Sequence, residues 1–265
     1  MYDFHTHSDF SNDSKSSMPS MVEGAYNHGL KGICFTDHLD IDYPGYDMNF
    51  EFDYGLYKKA INEMRNAYKD KIEIFSGIEV GLQPHIKKEN TEYLSGREYD
   101  FVLGSIHVVG RKDMYDGSFY QGLTDKQCIM NYFRDLIDCI DGYNDYDVIG
   151  HLDVMRRYLK NGEGSFVFKN YKGLIQSILI KLINSNKGIE INTSGIRYKL
   201  SDFHPLREIV KLYKFLGGEI ITIGSDAHKP QDIGYRFDEA KEMLLENGFK
   251  YYTIFRERKP YFVKL

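Results

Sequence analysis

Short apolar runs that end in histidine or acidic residues alternate along this chain with longer stretches of helical spacing. The runs are YDFHTH, KGICFTDH, KIEIFSGIEV, YDFVLGSIHVV, YDVIGHLD, KGIEINTS and GEIITIGSDAH. Each is short, rich in β-favouring residues and bounded by polar positions, which predicts a strand. Between them the spacing predicts helices over roughly 19–29, 53–69, 124–141, 170–186, 203–216 and 236–247, with a short helix within 85–97. Asp53, Thr124 and Asp202 are candidate N-caps, and Gly29, Gly188, Gly217 and Gly248 fall where helices should stop. The C-terminal YYTIFRERKPYFVKL reads as a closing hairpin turning near Arg258-Lys259-Pro260. No repeat, low-complexity tract or linker divides the chain, so a single domain over 1–265 is expected.

Strands alternating with helices argue for an α/β fold with a parallel sheet and helices outside it. The polar residues decide between an open sheet and a closed one. His5 and His7, Asp37 and His38, Glu79, His107, His151 and Asp153, and Asp226 and His228 all sit at the C-terminal end of a predicted strand. His5 and His7, two residues apart on a strand, point to one face. In a parallel barrel all such ends share one mouth, the mouth that carries active sites. An open sheet would spread them along a line, so convergence favours the barrel.

Composition narrows the chemistry. The net charge is -5 and the basic residues are scattered, which argues against a nucleic-acid partner. No apolar stretch approaches the ~20 residues of a membrane span, and the first residues lack a secretory pattern, so a cytoplasmic protein with no membrane partner is expected. Cys34 lies in an apolar run. Cys128 and Cys139 share one predicted helix, on the order of 16 Å apart at ~1.5 Å rise per residue, too far to bridge. With no CxxC, any metal must be held by nitrogen and oxygen.

One histidine at a strand end is ordinarily a hydrogen-bonded structural residue. Six strand ends carrying His, Asp or Glu directly after apolar residues are different. Unpartnered burial would cost several kcal/mol for each group, and bound cations remove that cost. His28, His85 and His204 do not follow strand runs and are read as non-ligands.

Taken together, HTHSDFSND, FTDH, GIEVGL, GSIH, IGHLD and GSDAH resemble the polymerase-and-histidinol-phosphatase (PHP) family, in order over nearly the whole chain. GHLDVMRRY and NTSGIR resemble its histidinol-phosphatase branch. The resemblance implies a distorted (β/α)7 TIM-like barrel with a metal site at the C-terminal strand ends. It implies two to three divalent metal ions (zinc, manganese or iron) and hydrolysis of L-histidinol phosphate by attack of a metal-bridging hydroxide. It implies a first metal on His5, His7, Glu79 and Asp226, a second on Glu79, His107 and His151, and a third on Asp13, His38 and His228. Asp13 departs from the histidine many members carry there, making the third site harder and more anionic. Asp37 is expected to support ligands rather than to be one.

Glu79, Asp226 and Asp153 are the candidate catalytic carboxylates, Asp153 and Asp226 as conceivable general acids. A phosphate ester invites arginine, whose planar fork pairs two oxygens. Arg197 beyond Asn192 is the first candidate, and of Arg156 and Arg157 one is expected at the site and the other in solvent. Arg236 is a weaker candidate, expected on a helix surface. GRKDMYDGSFYQG places Tyr115, Asp116 and Tyr120 near the mouth for the rest of the substrate. The expected partner is a small-molecule phosphate ester. The competing readings are a PHP phosphoesterase of other specificity (a phosphodiesterase, nuclease or phosphotyrosine phosphatase) and a non-catalytic metal-binding domain.

Overall fold

A computed structural model describes residues 1–45 and 50–265. Strands β1 (Tyr2–Thr6), β2 (Gly32–Phe35), β3 (Glu73–Gly81), β4 (Phe101–Ser105), β5 (Val148–Ile149), β6 (Gly188–Asn192) and β7 (Ile221–Gly224) are the cores of the seven apolar runs. They lie side by side in chain order, each neighbouring pair parallel. β2, β4, β6 and β7 are buried at every residue, which is why they read as continuous apolar runs rather than alternating ones. The result is a nearly closed seven-stranded barrel with helices outside.

The closing seam joins β7 to β1. Asp226 N–H donates to the His5 carbonyl at 2.8 Å and His7 N–H to that of Ala227 at 2.9 Å, around a single parallel bridge between Thr6 and Ala227. The Asp3 carboxylate completes the seam. It is fully buried and accepts from Ser225 N–H at 3.0 Å, Ser225 Oγ–H at 2.6 Å and Gly234 N–H at 3.0 Å. The pairing of β1 with β2 slips between Asp3 and Thr6, three steps on one strand facing two on the other. This bulge at Phe4–His5 re-aims the residues that follow.

Helices α1 (Met18–Asn27), α2 (Tyr54–Ala67), α3 (Lys87–Leu94), α4 (Asp125–Ile140), α5 (Phe168–Asn184), α6 (Ser194–Arg197), α7 (Arg207–Phe215) and α8 (Phe237–Glu246) connect the strands. In α4 the apolar stripe Cys128, Ile129, Tyr132, Phe133, Leu136, Cys139 and Ile140 is buried, the 3.6-residue pattern of a helix lying on a barrel. Asp53 caps α2 by accepting from Leu56 N–H, and Thr124 with Gln127 forms a capping box on α4. Gly29, Gly217 and Gly248 follow their helices in the left-handed region.

Three expectations change. Asp202 does not cap a helix: the chain turns first, α7 begins at Arg207, and Asp202 accepts from Arg207 N–H from outside it. Gly188 is the first residue of β6, where a Cβ would come within 2.5 Å of the Ile220 carbonyl. α5 has already ended, and Asn186 takes the left-handed turn. The hairpin of β8 (Tyr251–Arg256) and β9 (Lys259–Lys264) turns at Glu257–Arg258, both with positive φ, so Lys259 and Pro260 belong to the strand.

That hairpin seals the N-terminal end of the barrel. Thr253 Oγ1 accepts from Ile221 N–H at the start of β7, and Tyr252 Oη from Tyr2 N–H at the start of β1. Arg258 pairs with Asp147 just before β5 and donates its N–H to Asp100 just before β4. The rings of Phe75, Phe4, Phe101 and Phe255 follow one another at centroid spacings of 5.1, 5.4 and 5.1 Å. Since β1 and β4 are not neighbours, this column crosses the barrel interior. Asp3→Ala strips the acceptor from Ser225 N–H, Ser225 Oγ–H, Gly234 N–H and His5 N–H. It is expected to lower unfolding free energy by ~3 kcal/mol in urea titrations, where a loss under ~1 kcal/mol would contradict the seam's role.

Candidate metal centre

All nine expected ligand residues meet at the C-terminal mouth. Glu79, 1 % exposed in β3, is the hub. Its Oε2 lies 3.3 Å from His5 Nε2, 3.5 Å from His7 Nε2 and 3.1 Å from His38 Nδ1. Its Oε1 lies 3.4 Å from His107 Nε2 and 3.1 Å from His151 Nε2. Asp226 Oδ1 stands 3.7 and 3.5 Å from His5 and His7 Nε2. On the solvent side Asp13 Oδ2 lies 2.9 Å from His228 Nε2 and 3.6 Å from His38 Nε2.

These contacts have the character of ligand shells. Donors at ~2.0–2.1 Å from a tetrahedral ion stand about 3.3 Å from one another, and the distances among His5, His7, Glu79 and Asp226 scatter around that figure. His5 Nε2 and His7 Nε2 face each other at 3.1 Å, a contact that joins two lone pairs unless one ring carries a proton there. Glu79 Oε2 and His38 Nδ1 are buried and close, yet neither has an aligned hydrogen-bond partner. His5 with His7 and Glu79, His38 with Glu79 and His107, and His7 with His38 and His228 each bring their donor atoms within 4.8 Å. The cluster can hold metal ions.

The electrostatics point the same way. Burial alone would lower the imidazole pKa values, but Glu190, Glu79 and Asp226 raise His5 well above its ordinary value. Asp40 and Glu79 do the same for His107. Burial would raise the Glu79 carboxyl, yet His5, His38 and His107 hold it well below the usual range. His7, desolvated and beside His228 and His38, falls to about 3 and keeps its lone pair free at neutral pH. A field that draws protons onto imidazoles is one in which divalent cations displace those protons.

Backbone geometry serves the same end. His151 and Asp226 both have positive φ, of 23° and 55°, at the ends of β5 and β7. Such strain in a non-glycine residue persists where surrounding contacts impose it, commonly at functional sites. Gly224 lies where a Cβ would meet His5 Cβ and Glu190 Oε1 at 2.3 Å, so only glycine lets β7 approach them.

The PHP domain model matches residues 3–194. The chain belongs to the PHP family. A histidinol-phosphatase of Lactococcus lactis subsp. lactis (strain IL1403) is 32% identical over 93% of this chain and 91% of its own length. The Saccharomyces cerevisiae histidinol-phosphatase is 22% identical over 93% and 88%. A crystal structure of the Lactococcus histidinol phosphate phosphatase with zinc, L-histidinol and phosphate superposes with a TM-score of 0.90 at 31% identity, covering 98% of both chains.

In this PHP barrel a cavity of about 720 Å³ opens over the cluster. Asp13, His38, Glu79, His107, His151, Asp226 and His228 line it, while His5 and His7 are fully buried behind. Arg157, Arg197, Tyr158 and Tyr198 form a wall and Tyr115, 81% exposed, stands at the rim. Arg197 donates to the carbonyls of Ser225 at 3.1 Å and Asp226 at 2.6 Å, bracing the strained turn. Arg236 lies on the surface, Asp116 is exposed beside Ser118, and Tyr120 packs against Tyr158 behind the wall. His28 ends α1, and His85 pairs with Asp42.

Two expectations are corrected. Arg156 faces neither site nor solvent: it is 2% exposed and donates to Asp153, the Phe203 carbonyl and Glu163. Asp153 is fully buried outside the cavity lining, its oxygens accepting from Arg156, Leu206 N–H and the His204 ring. Burial opposes its charge, but Arg156 and His204 outweigh burial and hold it below the usual range, so it has no proton to give a leaving group.

Three participants were not singled out from sequence. Asp40 receives His107 Nδ1 at 2.9 Å and approaches His38 Nδ1 at 3.5 Å. Glu190 takes His5 Nδ1 at 2.7 Å and His151 N–H at 2.9 Å. His204, named from sequence only as a non-ligand, accepts from Arg157 Nε–H at 3.0 Å. A carboxylate inside the apolar GIEIN and a second acid two residues past His38 were the available signals. Asp37 holds Ser8 and Ser11, and Ser11 Oγ reaches His7 Nδ1 at 3.1 Å, a supporting role as expected. Glu190→Gln removes the carboxylate that orients His5. It is expected to weaken zinc binding ~10–100-fold in titrations of metal-stripped protein, whereas unchanged affinity would separate Glu190 from the centre.

Proposed function

We propose that this chain hydrolyses L-histidinol phosphate to L-histidinol and inorganic phosphate, as a cytoplasmic step of histidine biosynthesis. The observation that carries the reading is the convergence of nine His, Asp and Glu side chains at one mouth, seven of them lining its cavity, in a barrel matching the histidinol phosphate phosphatase over 98% of both chains. Two to three divalent ions fit the donor set: His5, His7, Glu79 and Asp226 for the first, Glu79, His107 and His151 for the second, and Asp13, His38 and His228 for the third. Nitrogen and oxygen donors suit zinc, manganese or iron. When bound, such ions supply Lewis acidity toward the phosphoryl oxygens and ionise water near neutral pH.

The protein's own groups supply the rest. Glu79 offers one oxygen to each of two imidazole sets and so fixes their separation. Asp226 stands between the His5–His7 pair and Arg157, the junction of the metal ligands and the arginine wall. Arg157 and Arg197 face the phosphate's outer oxygens, planar donors matched to an anion. Tyr115 at the rim meets the part of the substrate that projects from the mouth.

Phosphate release from L-histidinol phosphate and from a panel of aryl and alkyl phosphates tests the reading. The metal-replete protein is expected to favour L-histidinol phosphate by ~10²-fold or more in kcat/KM. Equal rates across the panel would overturn the assigned substrate, and hydrolysis of diesters or phosphotyrosine alone would favour the other PHP activities. Chelator treatment is expected to abolish turnover and added zinc or manganese to restore it. Asp226→Asn is expected to lose most of its turnover while melting like the parent. Retained turnover would point to a non-essential ligand.

A further inference from the structure

Arg157 is the arginine of the cavity wall whose orientation is fixed through a second side chain. Its Nε–H donates to His204 Nε2 at 3.0 Å, its Nη2 contacts Ser194 Oγ and lies 3.5 Å from Asp226 Oδ2, and its face stacks on Tyr198 at 4.2 Å. His204 lies outside the cavity lining, is fully buried, and is 2.5 Å through Nδ1 from Asp153 Oδ1. Asp153 is fixed in turn by Leu206 N–H at 2.9 Å and Arg156 at 3.2 Å. The His204 backbone exchanges two hydrogen bonds with Asn192 at the end of β6, N–H to carbonyl at 3.0 and 2.6 Å.

Hydrogen-bond logic fixes the proton on this ring. A guanidinium only donates and stays charged, so His204 Nε2 must accept with its lone pair. The ring proton is therefore on Nδ1, where the carboxylate of Asp153 receives it. Burial and the neighbouring Arg157 lower the His204 pKa to about 3, which keeps the ring neutral. We infer that His204 is a positioning residue: held by Asp153 in its Nδ1–H form, it turns Arg157 toward the phosphate-binding wall. The inference rests on the reading of the cavity as a phosphate-ester site. It gives the buried Asp153 and Arg156 a purpose that neither proton donation nor substrate contact supplies. A protonated His204 would turn a donor toward Arg157 and break the arrangement.

A double-mutant cycle with a spectroscopic arm tests it. His204→Asn keeps a donor toward Asp153 and loses the acceptor for Arg157. It is expected to lower kcat/KM by ~10- to 100-fold, mostly through KM, and to weaken inhibition by inorganic phosphate. His204→Gln, whose amide oxygen reaches toward Arg157, is expected to recover part of that loss. In an Arg157→Ala background His204→Asn is expected to cost nothing further. Losses that multiply, or a His204→Asn protein with the parent's kinetics and melting temperature, would overturn the inference. Reading the cycle on both L-histidinol phosphate and p-nitrophenyl phosphate separates it from the substrate assignment: activity on the second alone sinks that assignment and leaves the coupling measurable. Independently of turnover, long-range 15N–1H spectra of the parent, with the His204 signal assigned by its loss in His204→Asn or by selective labelling if that variant does not fold, are expected to show Nδ1–H at neutral pH. An Nε2–H or doubly protonated ring would refute it.

Discussion

Everything at the mouth of this barrel is arranged around one buried carboxylate. Glu79 could not stay ionised in the interior of β3 alone, because desolvation would neutralise it. Five imidazoles stand around its two oxygens, from the ends of β1, β2, β4 and β5, and His5, His38 and His107 among them hold it ionised against burial. The strands must then stand in one order and at one height, or the imidazoles fail to arrive. The hub ties the topology to the chemistry.

The seam between the first and last strands shows how narrow the tolerances are. Two backbone hydrogen bonds around a single bridge close it, and Asp3 ties β1 to Ser225 and Gly234 from beneath the metal centre. On the same strands sit the bulge that re-aims His5, the glycine that lets Glu190 reach it, and the strained turn that presents Asp226. Arg197 holds that turn by its carbonyls while facing the cavity. Folding and ligand geometry are thus specified by overlapping sets of residues, so substitutions along this seam affect both.

Much of this was legible in the sequence, for a physical reason. Parallel strands buried on both faces leave continuous apolar runs, and functional groups can only follow them, so the seven strands and the residues at their ends could be read together. The groups that orient the ligands were less visible. Asp40 and Glu190 act on histidines from other strands, and their role depends on which neighbour the fold delivers. Asp153 and Arg156 carried the residue types of a catalytic acid and a phosphate clamp, yet pairing with each other, and with His204 for Asp153 and Glu163 for Arg156, turns both inward. His204 lacked the mark of a strand end, since its importance lies in a partner one loop away. Helix ends followed local rules where the cap was local, at Asp53 and Thr124. They failed at Asp202 and Gly188, where a turn and a close strand contact took precedence.

The hairpin of β8 and β9 closes the far end of the barrel with aromatic rings and backbone hydrogen bonds. Among the described residues the cluster is therefore reached from the cavity side. Under the proposed function, entry of substrate, departure of alcohol and phosphate, and exchange of ions would share the cavity mouth flanked by Arg157, Arg197 and Tyr115. Traffic through it is sequential. Under that function, the phosphate left by one turnover would occupy the arginine donors that the next substrate needs, so the rate at which it clears would belong to the catalytic cycle as much as the bond-breaking step does.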